Sequence, residues 1–189
     1  RAYECAGAAG IQIEDQVFPK KCGHFNGKGV IPTEEMVQKI KAAADARRDD
    51  DFQIVARTDA IAVNGLEDAL ERAHRYIEAG ADVTFVEAPL NVDDIARIAR
   101  ELPVPQVFNY VFGGKTPPVD HAGLKDMQFG AALFANAALQ AALLSVYNVL
   151  GELRRTGSLE AIKDALASFE MRQNAVRKGE FDTQEKSYR

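Results

Sequence analysis

Short runs of Ile, Val, Phe and Ala recur along the chain, and the stretches between them return apolar residues at helical spacing. The runs at 11–15, 52–58, 83–88, 104–110 and 127–135 predict strands. Helices are predicted from Glu34 to Arg48, Leu66 to Glu78 and Val92 to Glu101, with Thr33 as N-cap of the first. Residues 136–150 continue as an apolar helix. Beyond Gly151 the chain is more polar, and Gly157 or Ser158 marks another helix start. Strands alternating with helices predict parallel pairing through crossover helices, which makes this an α/β protein.

An internal repeat narrows the architecture. Tyr3, Ala6-Gly7-Ala8 and Glu14 return as Tyr76, Ala79-Gly80-Ala81 and Glu87, each 73 residues later. That offset spans two βα units of about 36 residues, near one eighth each of a barrel of roughly 250 residues with modest insertions. Five units are then expected here. The opening Arg1-Ala-Tyr-Glu-Cys-Ala-Gly reads as the last turns of a helix feeding a strand, as if earlier units preceded it. A doubly wound open sheet is the alternative, but no Gly-x-Gly-x-x-Gly turn follows any strand.

Composition limits the partners. The 189 residues are 47% hydrophobic and 27% charged, with a net charge of −5 and basic residues scattered among acids. This favours a small-molecule ligand over nucleic acid. No apolar stretch reaches the roughly 20 residues that a bilayer requires, so no membrane role is expected. Cys5 and Cys22 have no Cys/His cluster near them, which argues against a disulfide framework or a zinc site and fits a reducing cytoplasm.

In a parallel barrel the chemistry sits where strands end. Glu14-Asp15, Arg57-Thr58-Asp59, Glu87 and Asn109 close four of the apolar runs. Carboxylates suit a hard divalent cation, and an arginine suits a carboxylate substrate. The competing reading is that these charges pair only with one another. After the first strand, Lys20-Lys21-Cys22-Gly23-His24 precedes Asn26-Gly27-Lys28-Gly29, whose glycines suit a mobile lid. A thiol beside two lysines and an imidazole is expected to have a lowered pKa and to serve in proton transfer or nucleophilic attack. Cys5, on an apolar helix end, is expected to be a small buried hydrophobe. Gly113-Gly114-Lys115-Thr116 imitates the end of a phosphate-binding loop, but Pro117-Pro118 prevents the helix that motif must open. A contact from this loop to a substrate oxygen remains open. His74 and His121 read as exposed.

Taken in order, Ile13-Glu14-Asp15-Gln16, Pro19-Lys20-Lys21-Cys22-Gly23-His24, Ala56-Arg57-Thr58-Asp59-Ala60 and Val86-Glu87-Ala88-Pro89 resemble the isocitrate lyase/phosphoenolpyruvate mutase family. The Cys-bearing loop is similar to that of the lyase branch, which includes 2-methylisocitrate and 2,3-dimethylmalate lyases. Members with this loop are often labelled carboxyvinyl-carboxyphosphonate phosphorylmutase. The resemblance covers residues 1–150. It implies a (β/α)8 TIM barrel, present here as its C-terminal five βα units over 1–156, followed by a C-terminal helical arm over 157–189 that packs on a neighbouring subunit of a homotetramer.

The resemblance also implies roles. Cys22, Lys20 and Glu14 take catalytic positions, with Cys22 the general acid and Glu14 in the shell of a magnesium ion, or manganese in its place. Gly23, His24, Arg57, Glu87, Asn109 and Thr116 contact the substrate. The implied reaction is retro-Claisen cleavage of a 2-hydroxy di- or tricarboxylate. Oxaloacetate hydrolysis or decarboxylation and phosphonate mutation are alternatives within the family, and a non-catalytic barrel fragment is an alternative outside its chemistry. The family's magnesium-binding aspartates and Ser-Gly-Tyr region have no counterpart in this chain, which alone is not expected to be a competent enzyme. Phe112 stands where many relatives have an acid, and the run Phe129 to Asn136 is smaller and less β-branched than usual.

Overall fold

The computed structural model describes residues 1–189, which form two compact units, 1–136 and 137–189. In the first, β1 (Gly10–Glu14), β2 (Gln53–Thr58) and β3 (Val83–Val86) run parallel in that order, with Glu14 opposite Arg57 and Thr58 opposite Val86. A parallel bridge from Thr84 to Gln106 leads to β4 (Val107–Val111), which pairs in parallel with β5 (Ala131–Ala135). Five parallel strands in sequence order are the α/β barrel arrangement expected from the chain pattern.

The helices of this unit are α1 (Ala2–Cys5), α2 (Thr33–Ala46), α3 (Ile61–Asn64), α4 (Leu66–Glu78), α5 (Val92–Glu101) and α6 (His121–Asp126). One stripe of α4 buries Ala69, Leu70, Ala73 and Tyr76, and α2 buries Met36, Val37 and Ile40 against Ile54 and Ala56 of β2. In α5 the Asn91 side chain caps the Asp94 N–H at 2.8 Å and Ile95 and Ile98 face inward.

The repeat is real in three dimensions. Gly7 and Gly80 both take positive φ (85° and 108°), and the Ala8 and Ala81 N–H groups donate to Tyr3 and Tyr76 carbonyls, each at 3.0 Å. A left-handed residue that glycine accommodates without strain turns each helix into the next strand.

Several local readings need correction. Thr33 makes no capping bond: Pro32 precedes the helix, and its carbonyl accepts from Glu35 and Met36, leaving no place for a threonine cap. Residues 127–130 form a turn with Gln128 at φ 64°, so β5 starts at Ala131. His121, which opens α6 behind an Asp120 cap, and His74 are exposed, as expected. Cys5 is exposed too, because α1 is a single turn with most of its surface uncovered.

The second unit holds α7 (Ala137–Thr156), a 3-10 helix (Glu160–Ala165), α8 (Phe169–Ala175) and α9 (Lys178–Lys186). Gly157, at φ 69°, ends α7, and Ser158 Oγ accepts from Glu160 N at 3.2 Å to open the next element. No helix is long and apolar enough to cross a membrane.

Candidate functional site

Parallel pairing brings the ends of β1 to β4 to one rim, and Arg57 is its hub. Its Nε lies 2.9 Å from Asp59 Oδ2 and 3.3 Å from Glu14 Oε2, its Nη2 lies 3.4 Å from Glu87 Oε2, and its guanidinium covers the Phe85 ring at 4.9 Å. Burial works against the charge on Arg57, but the Asp59 hydrogen bond and the surrounding carboxylates outweigh it, so its pKa is raised. Burial also pushes Asp59 up, yet the hydrogen bond and charge of Arg57, reinforced by Lys28, bring its pKa below the usual value. Glu87 goes the other way: burial and the nearby Asp59 charge raise it against the pull of Arg57. The rim charges therefore do pair among themselves, as the simpler sequence reading had it.

Behind the rim, Asp15 is fully buried and accepts four hydrogen bonds, from the end of β2, the residue after it and α4. Thr58 Oγ1 (2.7 Å), the Asp59 N–H (3.0 Å), Tyr76 Oη (2.9 Å) and Arg72 Nη1 (3.5 Å) all reach its carboxylate. Burial raises its pKa in spite of these bonds.

The Cys22 loop leaves β1 and returns to α2 through a closed neck. Gln16 and Val30 form an antiparallel bridge, and the Val17 N–H donates to Gly29 O at 2.9 Å. Gln16 also grips Lys21 from its side chain: Nε2 donates to Lys21 O (2.8 Å) and Oε1 accepts from Lys21 N (2.9 Å). Cys22 is exposed. The cations beside it in sequence are engaged elsewhere: Lys20 with Glu14 at 3.0 Å, Lys21 Nζ with Gly27 O at 2.8 Å, and His24 with the loop after β4.

Gly23 packs directly on Glu87, and His24 sits above it. His24 Nδ1 accepts from Lys115 N at 2.9 Å, while Nε2 lies 3.2 Å from Glu87 Oε1 without the alignment a hydrogen bond needs. Burial, then the charges of Lys28, Arg57 and Lys115, lower the His24 pKa. Asn109 Nδ2 donates to both Glu87 oxygens, at 3.2 and 3.3 Å, and its Oδ1 has no partner. Thr116 Oγ1, in the same loop as Lys115, is also buried and unpartnered. Two orphaned polar atoms beside the buried Glu87 carboxylate, with a third in the loop after β4, suit a polar ligand.

All nine residues singled out in the sequence thus lie on this rim or on the loops beside it. Sequence reasoning assigned no role to Lys28, Lys115 or Gln16, which tie those loops down; Lys28 stands between two glycines, and only contact reveals it. No group of three or more His, Cys, Asp or Glu side chains could hold a metal. The donor chemistry fits a magnesium ion that takes one carboxylate here and keeps waters: Glu14 is hard, partly exposed and bound only by Lys20 and Arg57.

Residues 1–154 match the family model described as phosphoenolpyruvate phosphomutase. The chain is 44% identical to the petal death protein of Dianthus caryophyllus, 40% to 2,3-dimethylmalate lyase of Eubacterium barkeri and 45% to 2-methylisocitrate lyase of Aeropyrum pernix. These matches take in 87%, 89% and 88% of this chain but 52%, 58% and 53% of the relatives, so the chain spans about half their length. Among solved structures it resembles oxaloacetate acetylhydrolase with 3,3-difluorooxalacetate (TM-score 0.87, 29% identity, 98% of this chain and 63% of that one). It also resembles 2,3-dimethylmalate lyase (0.84, 31%, 96% and 62%) and phosphonopyruvate hydrolase with oxalate and magnesium (0.81, 31%, 98% and 65%).

Proposed function

The chain belongs to the phosphoenolpyruvate phosphomutase family, and from that premise we propose that it is part of a magnesium-dependent lyase that splits a carbon-carbon bond in a 2-hydroxy di- or tricarboxylate of the 2-methylisocitrate, isocitrate or dimethylmalate type. The observation that carries this reading is that His24 Nε2, Asn109 Oδ1 and Thr116 Oγ1 are buried without partners, with His24 and Asn109 beside the Glu87 carboxylate that Arg57 also reaches.

In this reading Arg57, Thr116 and the backbone N–H groups at Gly23 and His24 bind substrate oxygens, and Asn109 and Glu87 orient the hydroxyl-bearing end. Glu14 would hold the magnesium ion through water, and Lys20 balances its charge. The bound ion supplies positive charge where an oxyanion develops. A base removes the hydroxyl proton, the C–O bond becomes a carbonyl, and the electrons of the broken C–C bond pass to the carbon beside the leaving carboxylate. Cys22 then gives its S–H proton to that carbon and is left a thiolate, so an oxo acid and a second carboxylic acid are released. Docking of the loop keeps stray water from the carbanion. The dimethylmalate and methylisocitrate lyase relatives support this branch, and the exposed thiol of Cys22 supports it over the hydrolases. Manganese, which takes the same oxygen donors, substitutes for magnesium in this reading.

A homotetramer with 157–189 as an arm on a neighbouring subunit belongs to the same proposal, supported by the exposed Phe169, Met171, Val176 and Phe181. A cytoplasmic site of action belongs to it as well, on the two free thiols.

The test is cleavage of 2-methylisocitrate, isocitrate and 2,3-dimethylmalate by the full-length natural protein with magnesium, reading the oxo acid released. Cys22→Ser should keep the fold and reduce turnover between about 100- and 10,000-fold. Undiminished turnover would refute the acid role, and free oxalate from oxaloacetate would transfer the reading to hydrolysis.

A further inference from the structure

Lys28 takes no part in the reaction outlined above, yet its side chain is only 1% exposed. Its ammonium donates to Asp59 Oδ1 at 3.0 Å and to the carbonyl of Gly23. A buried ammonium is tolerated only when its protons are matched. Arg57 already supplies Asp59 with a cation, so charge neutrality alone does not account for a second one. What Lys28 adds is a grip on the Gly23 oxygen. In a trans peptide the C=O and the following N–H point in opposite directions. Holding the Gly23 carbonyl toward Asp59 therefore turns the His24 N–H the other way, and that N–H donates to no acceptor in the protein.

We propose that Lys28 is a positioning residue: by clamping the Gly23 carbonyl to Asp59 it docks the Cys22 loop and aims the His24 N–H at a carboxylate of the ligand. The clamp is one residue from Cys22, so it also sets where the thiol stands. The loop is held from the opposite side by Lys115, whose N–H reaches His24 Nδ1 and whose Nζ lies 2.7 Å from Asn26 Oδ1. Lys28 ties the loop to Asp59, just after β2, and Lys115 holds it from the loop after β4, so the docked loop spans the rim between those two anchors. The aim at a substrate carboxylate rests on the lyase reading; the docking itself does not.

The test uses the full-length natural protein as Lys28→Met, as Lys28→Met with Asp59→Asn, and as Lys28→Arg. Trypsin cleavage after Lys20 and Lys21, with and without oxalate, reports docking independently of turnover. Both methionine variants should be cut at least about tenfold faster, the factor that corresponds to roughly 1.4 kcal/mol of lost docking energy. Protection by oxalate should disappear, kcat should fall more than KM rises, and Lys28→Arg should recover part of the protection. If Lys28→Met alone does not fold, the double variant decides, since it leaves no carboxylate without its cation; if neither folds, the arginine variant decides by its cleavage rate. Wild-type cleavage and oxalate protection in the folded variants would overturn the proposal. So would faster cleavage with oxalate protection and kcat both retained, because a merely structural lysine would behave that way. A wild-type protein without lyase turnover would count against the lyase reading only, and the trypsin and oxalate results would still settle the role of Lys28.

Discussion

A β-carbon on Gly23 would stand 2.4 Å from Oε1 of Glu87, so loop backbone and strand-end carboxylate meet with no room for another atom between them. Glu87 cannot retreat, because Asn109 and Arg57 hold its oxygens. Gly23→Ala should therefore lift the loop without unfolding the protein. A displacement of about an ångström is enough to cost roughly 100-fold in kcat/KM. Steady-state kinetics of the full-length natural protein, beside a thermal melt, checks both halves of this expectation of the proposed lyase.

Arg57 is the shared counter-ion of Glu14, Asp59 and Glu87. Arg57→Met strands carboxylates that are almost entirely buried, and the loss expected for breaking such a pair is about 3–5 kcal/mol. Urea unfolding at neutral pH measures it. A loss below about 1 kcal/mol, the range of exposed pairs, would mean that solvent reaches this network freely.

Burial and three neighbouring cations hold the His24 pKa below its ordinary 6.5. Between that lowered value and 6.5 the unfolded chain binds more protons at this site than the folded one. Its contribution is thus fully present above 6.5 and is lost as pH falls toward the folded value. His24→Gln should flatten the decline in the urea midpoint over that window, and the imidazole should titrate below 6.5 by NMR. An imidazole that titrates at or above 6.5 would contradict the burial of this ring.

Tyr76 donates to Asp15 from the floor of the site. Tyr76→Phe removes one of four donors from a buried carboxylate and should cost about 1–3 kcal/mol. Because Asp15 also binds the Asp59 N–H, that amide should exchange with deuterium faster in the variant. Unchanged stability would show that the remaining donors suffice.

The parts of this molecule legible in the sequence are those with a period or a fixed order. The strands β1 to β4 stood out as apolar runs, and the 73-residue repeat anticipated the matching Gly7 and Gly80 turns because one backbone conformation demands one residue type. Arg57, Glu14 and Glu87 were found because a parallel strand must end in whatever faces the rim; Asn109, expected to close its run, instead lies two residues inside β4. The misses have a different origin. Cys5 was expected inside from its apolar neighbours, but burial depends on what covers a helix end. The partners of the lysines and histidine around Cys22, namely Glu14, the Gly27 carbonyl and the Lys115 N–H, could not be read from their adjacency in sequence. Lys28 was read as part of a flexible spacer for the same reason: nothing in a Gly-Lys-Gly triplet announces a buried ammonium.

The Gln16 side chain pairs with both polar groups of the Lys21 backbone, as a neighbouring strand would, while Val17 and Gly29 close the neck of the same loop. The segment that carries the thiol is thereby a ring already tied at its base. Ordering it over a ligand freezes only the few residues from Cys22 to Gly27, at about 1–2 kcal/mol of backbone entropy for each, and not the whole excursion from β1 to α2. The proton donor proposed for this loop thus sits on a tether with far fewer residues to order than the whole excursion would have.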